Sequence, residues 1–160
     1  MTVLALLEAR LNRVLPELPA KITRHTPTPI MTAFLNTAVN HLLQKERHSG
    51  DLDFLKGQIA AVEITDLNFK FSMTLVNRRI QISIPAQTAD ATLKSDQASM
   101  LQILHGEVDP DTLFFRRKLL ITGDTELGLY IKNLIDTIDL TQRIPAPLMK
   151  LLTKIHQQTA

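Results

Sequence analysis

Histidine and carboxylate side chains are the groups in this sequence that could bind a metal ion or transfer a proton. No two histidines stand in the HExxH spacing or in another spacing typical of metal ligands. His41 and His48 share one face of a predicted helix, where Glu46 is the one carboxylate near them. We therefore expect no metal site. The five histidines are His25, His41, His48, His105 and His156.

Two pairs of aspartates could also suggest cation binding. Asp51 and Asp53 follow Gly50 in a predicted turn, and Asp109 and Asp111 flank a proline at a predicted helix start. Aspartate at such positions accepts hydrogen bonds from nearby backbone N–H groups and so caps the helix or closes the turn. Capping explains both pairs without a bound ion.

The short motifs that mark many enzyme active sites are absent from the sequence. It contains no GxSxG, GxxxxGK[ST] or GxGxxG segment, and only five glycines are available to build a phosphate-binding loop. The absence of cysteine excludes thiol nucleophiles, thiolate zinc sites and disulfides together. Serine, histidine and aspartate all occur, but nothing in the sequence places them together, so a binding role is favoured over catalysis.

Two of the six phenylalanines, Phe114 and Phe115, stand directly before the densest cationic run, Arg116, Arg117 and Lys118. One interpretation is that the rings pack into the core while the cations are solvated at the entry to a strand. The other is that the five side chains contact an anionic lipid headgroup or the membrane interface, where each basic residue contributes about 1 kcal/mol. We predict membrane or headgroup contact at this segment.

The composition favours an aliphatic core within one domain. Hydrophobic residues make up 44% of the 160 residues, aromatic residues only 4%, and tryptophan is absent. An aliphatic lining suits a flexible apolar ligand, and it equally suits an ordinary core. The net charge of +2 is too small to indicate nucleic-acid binding without a clustered basic face and aromatic platforms.

The sequence also bears on the cellular location. No apolar run approaches the roughly 20 residues that span a bilayer, and the first residues carry Glu8, Arg10 and Arg13 where a signal peptide has an uncharged segment. We expect a cytoplasmic protein that is neither exported nor integral to the membrane.

Apolar residues at three- and four-residue spacing predict several helices. The first covers Thr2–Val14 and ends at Pro16 and Pro19. The second runs from Pro29 or Ile30 to Arg47, and the last covers Leu148–Gln157.

Between these helices the apolar period changes to two, which predicts β-strands. The clearest strand is Leu67–Leu75, which the turn Asn77-Arg78 joins to Arg79–Ile84, and Ala89–Leu93 forms a shorter one. The predicted buried face consists of Leu67, Phe69, Phe71, Met73, Leu75, Ile80, Ile82 and Ile84.

Aspartate caps predict the remaining helices. Asp96 begins a helix that ends at Leu104, Asp109 begins a helical turn through Phe115, and Asp124 begins a helix after the strand Leu119–Ile121. The predicted order is two helices, four strands with a helix pair before the last strand, and two further helices. This is an α+β fold with a mostly antiparallel sheet covered by helices.

Two segments carry a resemblance to a known family, Asp109–Phe115 (DPDTLFF) and Gly123–Leu129 (GDTELGL). A strand that runs into a Gly-Asp turn and an amphipathic helix, after a hairpin and inserted helices, resembles the sterol carrier protein type-2 domain family. More closely, the stretch from Asp109 to Asp139 looks like the bacterial accessory factors of oxygen-independent ubiquinone biosynthesis. The resemblance covers the chain from about Pro27 to Asp139.

The resemblance implies a non-catalytic lipid-binding domain that needs no cofactor. Its apolar cavity, between sheet and helices, would hold isoprenoid quinone intermediates or phospholipids. The implied partners are the anaerobic ubiquinone hydroxylase proteins and the inner membrane surface, and a homodimer is left open. The resemblance specifies no ligand contacts, so we infer the cavity lining from the apolar pattern: Phe34, Phe69, Phe71, Met73, Ile82, Met100, Leu104, Leu127, Ile131 and Leu134.

We divide the chain into an N-terminal amphipathic helix and linker (1–26), the lipid-binding domain (27–139) and a C-terminal helix (140–160). Two other functions stay open. A scaffold whose first and last helices bind partner proteins would have a solid core without a ligand. A small hydrolase or transferase would need serine, histidine and aspartate to converge in one pocket.

Overall fold

The computed structural model describes residues 27–146, 149, 150 and 153. The predicted helix Thr2–Val14 and most of the predicted helix Leu148–Gln157 lie outside these residues. The helices are α1 (Thr28–Leu42), α2 (Gln44–Ser49), α3 (Gln97–Leu104), α4 (Pro110–Phe115), α5 (Thr125–Thr137) and α6 (Leu140–Arg143). The strands are β1 (Ala60–Ile64), β2 (Phe69–Val76), β3 (Arg79–Ser83), β4 (Ala91–Ser95) and β5 (Leu119–Gly123).

The described strands form one five-stranded sheet in the order β3-β2-β1-β4-β5. Strands β1 and β4 are parallel, and every other neighbouring pair is antiparallel. The predicted α+β fold with a mostly antiparallel sheet is therefore confirmed. The predicted number of strands was too small, because Ala60–Ile64 is a strand of its own.

A short 3-10 turn, Thr65–Leu67, separates β1 from β2, and Asn68 follows it with a left-handed φ of 49°. This turn takes Leu67 out of the strand in which the alternation had placed it. Its side chain is 41% exposed, so the prediction that Leu67 is buried was wrong.

The sheet has one apolar face, which the register defines. Met73 pairs with Ile82 on one side and with Ala60 on the other, and paired residues project to the same face. Helices α3, α4 and α5, together with Leu52 and Leu55, supply the other half of the core, and α1 packs against it. The buried residues of the central cluster are Leu52, Leu55, Ala60, Leu75, Ile80, Ile82, Ala91, Leu93, Ile103, Leu113, Leu119, Leu127 and Ile131.

The predicted helix up to Arg47 is interrupted at Leu43, which separates α1 from α2. Two arginines bind backbone carbonyls at this point. Arg47 Nε donates to the carbonyl of Asn40 (3.2 Å), and Arg143 Nη1 donates to that of Leu42 (2.9 Å). A side chain that takes a carbonyl from the helical hydrogen-bond ladder is a known cause of a kink.

Asparagine side chains from α1 cover the outer edge of β3. The amide of Asn40 accepts a hydrogen bond from Ile80 N and donates one to Ile80 O, both at 2.8 Å. Asn36 Oδ1 accepts from Ile82 N at 2.9 Å. These bonds satisfy backbone groups that an edge strand would otherwise leave without a partner.

The strand, turn and helix predicted around Gly123 are present. Gly123 has a φ of +83°, and a Cβ there would lie 2.4 Å from the carbonyl oxygen of Asp90. Asp124 then caps α5 by accepting from Leu127 N at 3.1 Å. Only glycine fits a backbone that is both left-handed and this close to a neighbouring strand.

Candidate functional site

Seven of the ten residues predicted to line a cavity lie in or against the central apolar cluster. Ile82, Leu127 and Ile131 are buried members of it. The partly buried residues that pack against it include Phe71, Met73, Met100 and Leu134. The remaining three, Phe34, Phe69 and Leu104, are half-buried. The structure thus places most of the set between the sheet and the helices.

Among the grooves lined by described residues are three that none of the ten predicted residues lines. The largest of these three has a volume of about 720 Å³ and lies between α1 and the β2–β3 hairpin. Its lining is rich in amide and cationic side chains. The role of the ten residues in binding a ligand stays a prediction.

The aromatic and cationic segment forms the end of α4 and the turn into β5. The backbone N–H of Arg117 donates to the carbonyl of Phe114 (3.1 Å), and that of Lys118 donates to the carbonyl of Leu113 (2.8 Å). This pair of bonds is the Schellman motif, whose left-handed residue is usually glycine. Here Arg117 has that conformation, with a φ of 58°.

The two phenylalanines have different surroundings. Phe115 is 81% exposed, whereas Phe114 is half-buried, with its ring centroid 5.9 Å from the buried Lys132 Nζ. Lys132 also donates hydrogen bonds to Asp111 and to Asn133 Oδ1. Phe114 is therefore held against α5, while Phe115 projects into solvent beside three exposed cations.

Asp109 has the capping role that the sequence indicates. Its carboxylate accepts from the backbone N–H and the hydroxyl of Thr112, both at 2.8 Å. The hydrogen bonds from Thr112 lower the pKa of Asp109 below its ordinary value. Asp109, Asp111 and Asp136 lie close to one another, but Asp111 is paired with Lys132 and Asp109 with Thr112.

Sequence reasoning missed the large groove beside α1. Its walls include Asn36 and Asn40, whose spacing of one helical turn on a largely apolar helix was a signal that could have been used. A buried asparagine needs hydrogen-bond partners, and a neighbouring strand edge offers them. The spacing alone does not say which strand lies there.

The comparison with protein families places this fold. A profile described as the SCP-2 sterol transfer family matches residues 38–136, which is more than half of the chain. The chain belongs to the SCP-2 sterol transfer family. Membership in the SCP-2 family confirms the resemblance read from Asp109–Phe115 and Gly123–Leu129.

Relatives of this SCP-2 family chain include the ubiquinone biosynthesis accessory factor UbiT of Escherichia coli strain K12. This chain is 36% identical to it over 146 residues, which cover 91% of this chain and 83% of the relative. The same identity and coverage hold for the UbiT factor of Escherichia coli O157:H7.

Solved structures with similar folds include the UbiJ-SCP2 ubiquinone synthesis protein. The match has a TM-score of 0.54 and 22% sequence identity, and it covers 68% of this chain and 95% of that one. A crystal structure of sterol carrier protein 2 matches with a TM-score of 0.48 and 14% identity, covering 79% and 95% of the two chains. The match to the UbiJ-SCP2 protein supports the SCP-2 fold.

In the part of this SCP-2 family chain that the structure describes, no helix is both long and apolar enough to cross a bilayer.

Proposed function

We propose that this protein is a non-catalytic lipid-binding accessory factor in oxygen-independent ubiquinone biosynthesis. It holds an isoprenoid quinone intermediate or a phospholipid between the sheet and the helices, without a cofactor. It acts in the cytoplasm at the surface of the inner membrane, together with the anaerobic ubiquinone hydroxylase proteins.

The observation that carries the ubiquinone role is the 36% identity with the UbiT accessory factor over 91% of this chain. A match of that length extends beyond the residues that the SCP-2 profile covers. The oxygen-independent route, the hydroxylase partners and the nature of the ligand go further than the comparison and belong to the proposal.

The apolar side of the sheet supports a lipid ligand. Residues that pack against the central cluster without full burial, such as Phe71, Met73, Met100 and Leu134, give the layer between sheet and helices an adaptable aliphatic and aromatic lining. Methionine in particular fills irregular space and repacks easily. Such a lining accommodates a chain of isoprene or acyl units better than a rigid polar molecule.

The α4–β5 turn supports contact with the membrane. Phe115 exposes a large ring to water, and Arg116, Arg117 and Lys118 are all exposed beside it. An aromatic ring that enters the interface and cations that bind headgroup phosphates are the usual pair in a peripheral membrane protein.

Lipid extraction of the purified protein tests the ligand. We expect organic-solvent extracts, analysed by mass spectrometry, to contain phospholipid or an isoprenoid compound in amounts comparable to the protein. Protein that is recovered without lipid and ignores liposomes would contradict the proposal.

Vesicle binding tests the membrane contact. We expect Phe115→Ser with Arg117→Glu to weaken binding to vesicles that contain anionic phospholipid, because both the ring and a cation are lost, while the circular dichroism spectrum is unchanged. The control is Val76→Ser with Arg79→Glu, which likewise replaces an exposed apolar side chain by serine and an exposed arginine by glutamate, but in the β2–β3 hairpin. Equal loss of binding by both double variants would argue against a specific contact at Phe115.

A further inference from the structure

A second cationic surface lies beside the β2–β3 hairpin. The groove of about 720 Å³ between α1 and this hairpin, called here the basic groove, includes Gln44, Arg47, Asn77, Arg79 and Gln81 in its walls. It shares His41 and Gln44 with a smaller groove of about 400 Å³, which Lys45, His48 and Arg143 also line. No carboxylate lines either groove, although Arg143 of the smaller groove is paired with Glu46.

The basic groove and the α4–β5 turn lie at opposite corners of the sheet. Strands β3 and β5 are its two edges. Leu119, at the start of β5, pairs with Ser95, and this row of the sheet also contains the start of β2. The basic groove lies at the opposite end of the strands, where β2 ends and β3 begins. Strand spacing and rise put the two corners roughly 25 Å apart. The two corners are therefore far enough apart to contact different partners.

An arginine has an unusual backbone conformation at each corner. Four non-glycine residues in the described part of the chain have a positive φ, and two of them are asparagines, which tolerate it. The other two are Arg78 (φ 61°) and Arg117 (φ 58°). Arg78 is the second residue of a two-residue hairpin turn, and Arg117 follows a helix end; both are positions that glycine adopts without strain. A cationic side chain is thus present at each corner despite a backbone that favours glycine, and such outliers occur often at functional sites.

The chemistry of the basic groove selects the kind of partner. Asn36 and Asn40 already bind the outer backbone groups of β3 at Ile80 and Ile82, so a partner cannot add a strand to this edge. No phenylalanine, tyrosine or tryptophan lines the groove, so it lacks both the large stacking platforms typical of single-stranded nucleic-acid sites and a side chain for the membrane interface. Arg47 also donates to the backbone carbonyls of Asn40 and Arg78. The donors that remain in the lining are the guanidinium of Arg79 and the amides of Gln44, Asn77 and Gln81, which suit carboxylates.

We propose that the basic groove binds an acidic segment of a protein partner while the α4–β5 turn at the opposite corner contacts the membrane. Charge complementarity carries the choice of partner, and the distance between the corners lets both contacts form at once. This inference depends on the proposed membrane contact only for the role of the α4–β5 turn. The assignment of the basic groove to an acidic segment does not depend on it.

Two matched double variants test the assignment. One is Arg78→Gly with Arg79→Gln, and the other is Arg117→Gly with Arg116→Gln. Each removes two adjacent cations and replaces a left-handed arginine by glycine. Since glycine relieves the strain, we expect neither variant to lower the melting temperature, so a loss of binding is not explained by unfolding.

The probes are a fluorescent polyglutamate peptide and vesicles of phosphatidylcholine with phosphatidylglycerol, both at low salt, where charge contacts are least screened. We expect the Arg78/Arg79 variant to bind the peptide about five-fold more weakly, because it loses the Arg79 contact in the groove and the Arg78 charge beside it. It should bind vesicles normally. The Arg116/Arg117 variant should show the reverse.

Three results would overturn the inference. The first is that the wild-type protein does not bind the peptide, and the second is that both double variants weaken peptide binding equally. The third is that the Arg78/Arg79 variant loses vesicle binding as the other variant does, which would make the groove a second membrane surface. If the peptide result holds while the Arg116/Arg117 variant binds vesicles normally, the proposed membrane contact fails and the groove assignment stands.

Discussion

The two edges of the sheet differ in how they meet their surroundings. At the β3 edge, Asn36 and Asn40 of α1 bind backbone groups of Ile80 and Ile82. At the β5 edge, Leu120 is 47% exposed, and exposed cations precede the strand. One edge is closed by hydrogen bonds to a helix, whereas the other presents apolar and charged side chains.

The β3 edge stabilises the fold, whereas the β5 edge offers side chains to a binding partner. The bonds at the β3 edge are buried or part-buried, and buried polar groups are costly to leave without a partner. The exposed side chains at the β5 edge contribute little to folding, so they are free to serve binding. Mutations at the first edge should therefore change stability, and mutations at the second should change affinity.

Asn40→Ala tests the closed edge and should have the largest effect. It leaves the buried N–H and C=O of Ile80 without their partner, and we expect a loss of about 2 to 4 kcal/mol in the free energy of unfolding, measured by urea denaturation. Thr37→Ala, on an exposed face of the same helix, is the control and should change stability by less than about 0.5 kcal/mol. Equal effects would mean that the edge bonds add nothing to stability.

The ion pair near the closed edge should have the next largest effect. Arg143 Nη1 donates to Glu46 Oε2 at 2.7 Å and joins α6 to α2. Burial acts to raise the pKa of Glu46, but the hydrogen bond and charge of Arg143 outweigh it, and the pKa lies below its ordinary value of 4.5. We expect Arg143→Gln to lower the free energy of unfolding by about 1 to 2 kcal/mol at neutral pH. The loss is smaller than for a fully buried pair because Arg143 is part-exposed.

The pH dependence sharpens this prediction. Because folding lowers the pKa of Glu46, the pair stabilises the protein above about pH 4.5, and the contribution is lost as the pH falls through the lower folded value. Urea denaturation across that pH range should show that the free energy of unfolding falls more steeply with decreasing pH for the wild type than for Arg143→Gln. Arg79→Gln, a change at an exposed arginine near the same edge, should leave the slope unchanged. Parallel curves for wild type and Arg143→Gln would rule out the pair as its source.

Gly128→Ala tests packing beside the other edge. A Cβ at Gly128 would lie 2.2 Å from Cγ2 of Ile121, so α5 could not keep its distance from β5. The cost of overpacking should outweigh the better helix propensity of alanine, so we expect the free energy of unfolding to fall by about 1 kcal/mol. Ile121→Leu removes the branch at Cβ and should restore most of the loss in the double variant. An additive double-mutant cycle would contradict the contact.

Two helix ends give the smallest expected effects, of opposite sign. Gly106 after α3 and Arg117 after α4 have the same hydrogen-bond pattern and similar positive φ values. Gly106→Ala should lower the free energy of unfolding by about 1 kcal/mol, whereas Arg117→Gly should raise it by about 0.5 to 1 kcal/mol. Thermal denaturation measures both. A loss of stability in Arg117→Gly would show that its side chain serves the fold.

Local signals predicted much of this fold. Asp96, Asp109 and Asp124 cap helices as expected, because a cap and the N–H groups that it accepts lie within three residues of each other. The hairpin at Asn77-Arg78 and the alternation of β3 were recognised for the same reason. The start of β2 was predicted two residues too early. The alternation of apolar and polar residues already begins at Leu67, although the structure has a 3-10 turn up to that residue.

Long-range contacts account for what the pattern could not predict. The interruption at Leu43 coincides with hydrogen bonds from Arg47 to Asn40 O and from Arg143 to Leu42 O, and the second comes from a residue 101 positions along the chain. The basic groove likewise exists only because α1 lies along the edge of β3.

At the α4–β5 turn the sequence by itself determined the helix start at Asp109 and the adjacency of two rings and three cations. Only the tertiary structure decided which ring is exposed. Phe114 lies beside Lys132 of α5, while Phe115 is the last residue of α4 and projects away from that contact. Two identical side chains next to each other in sequence point in different directions on a helix, and the position of α5 determines which one packs against it.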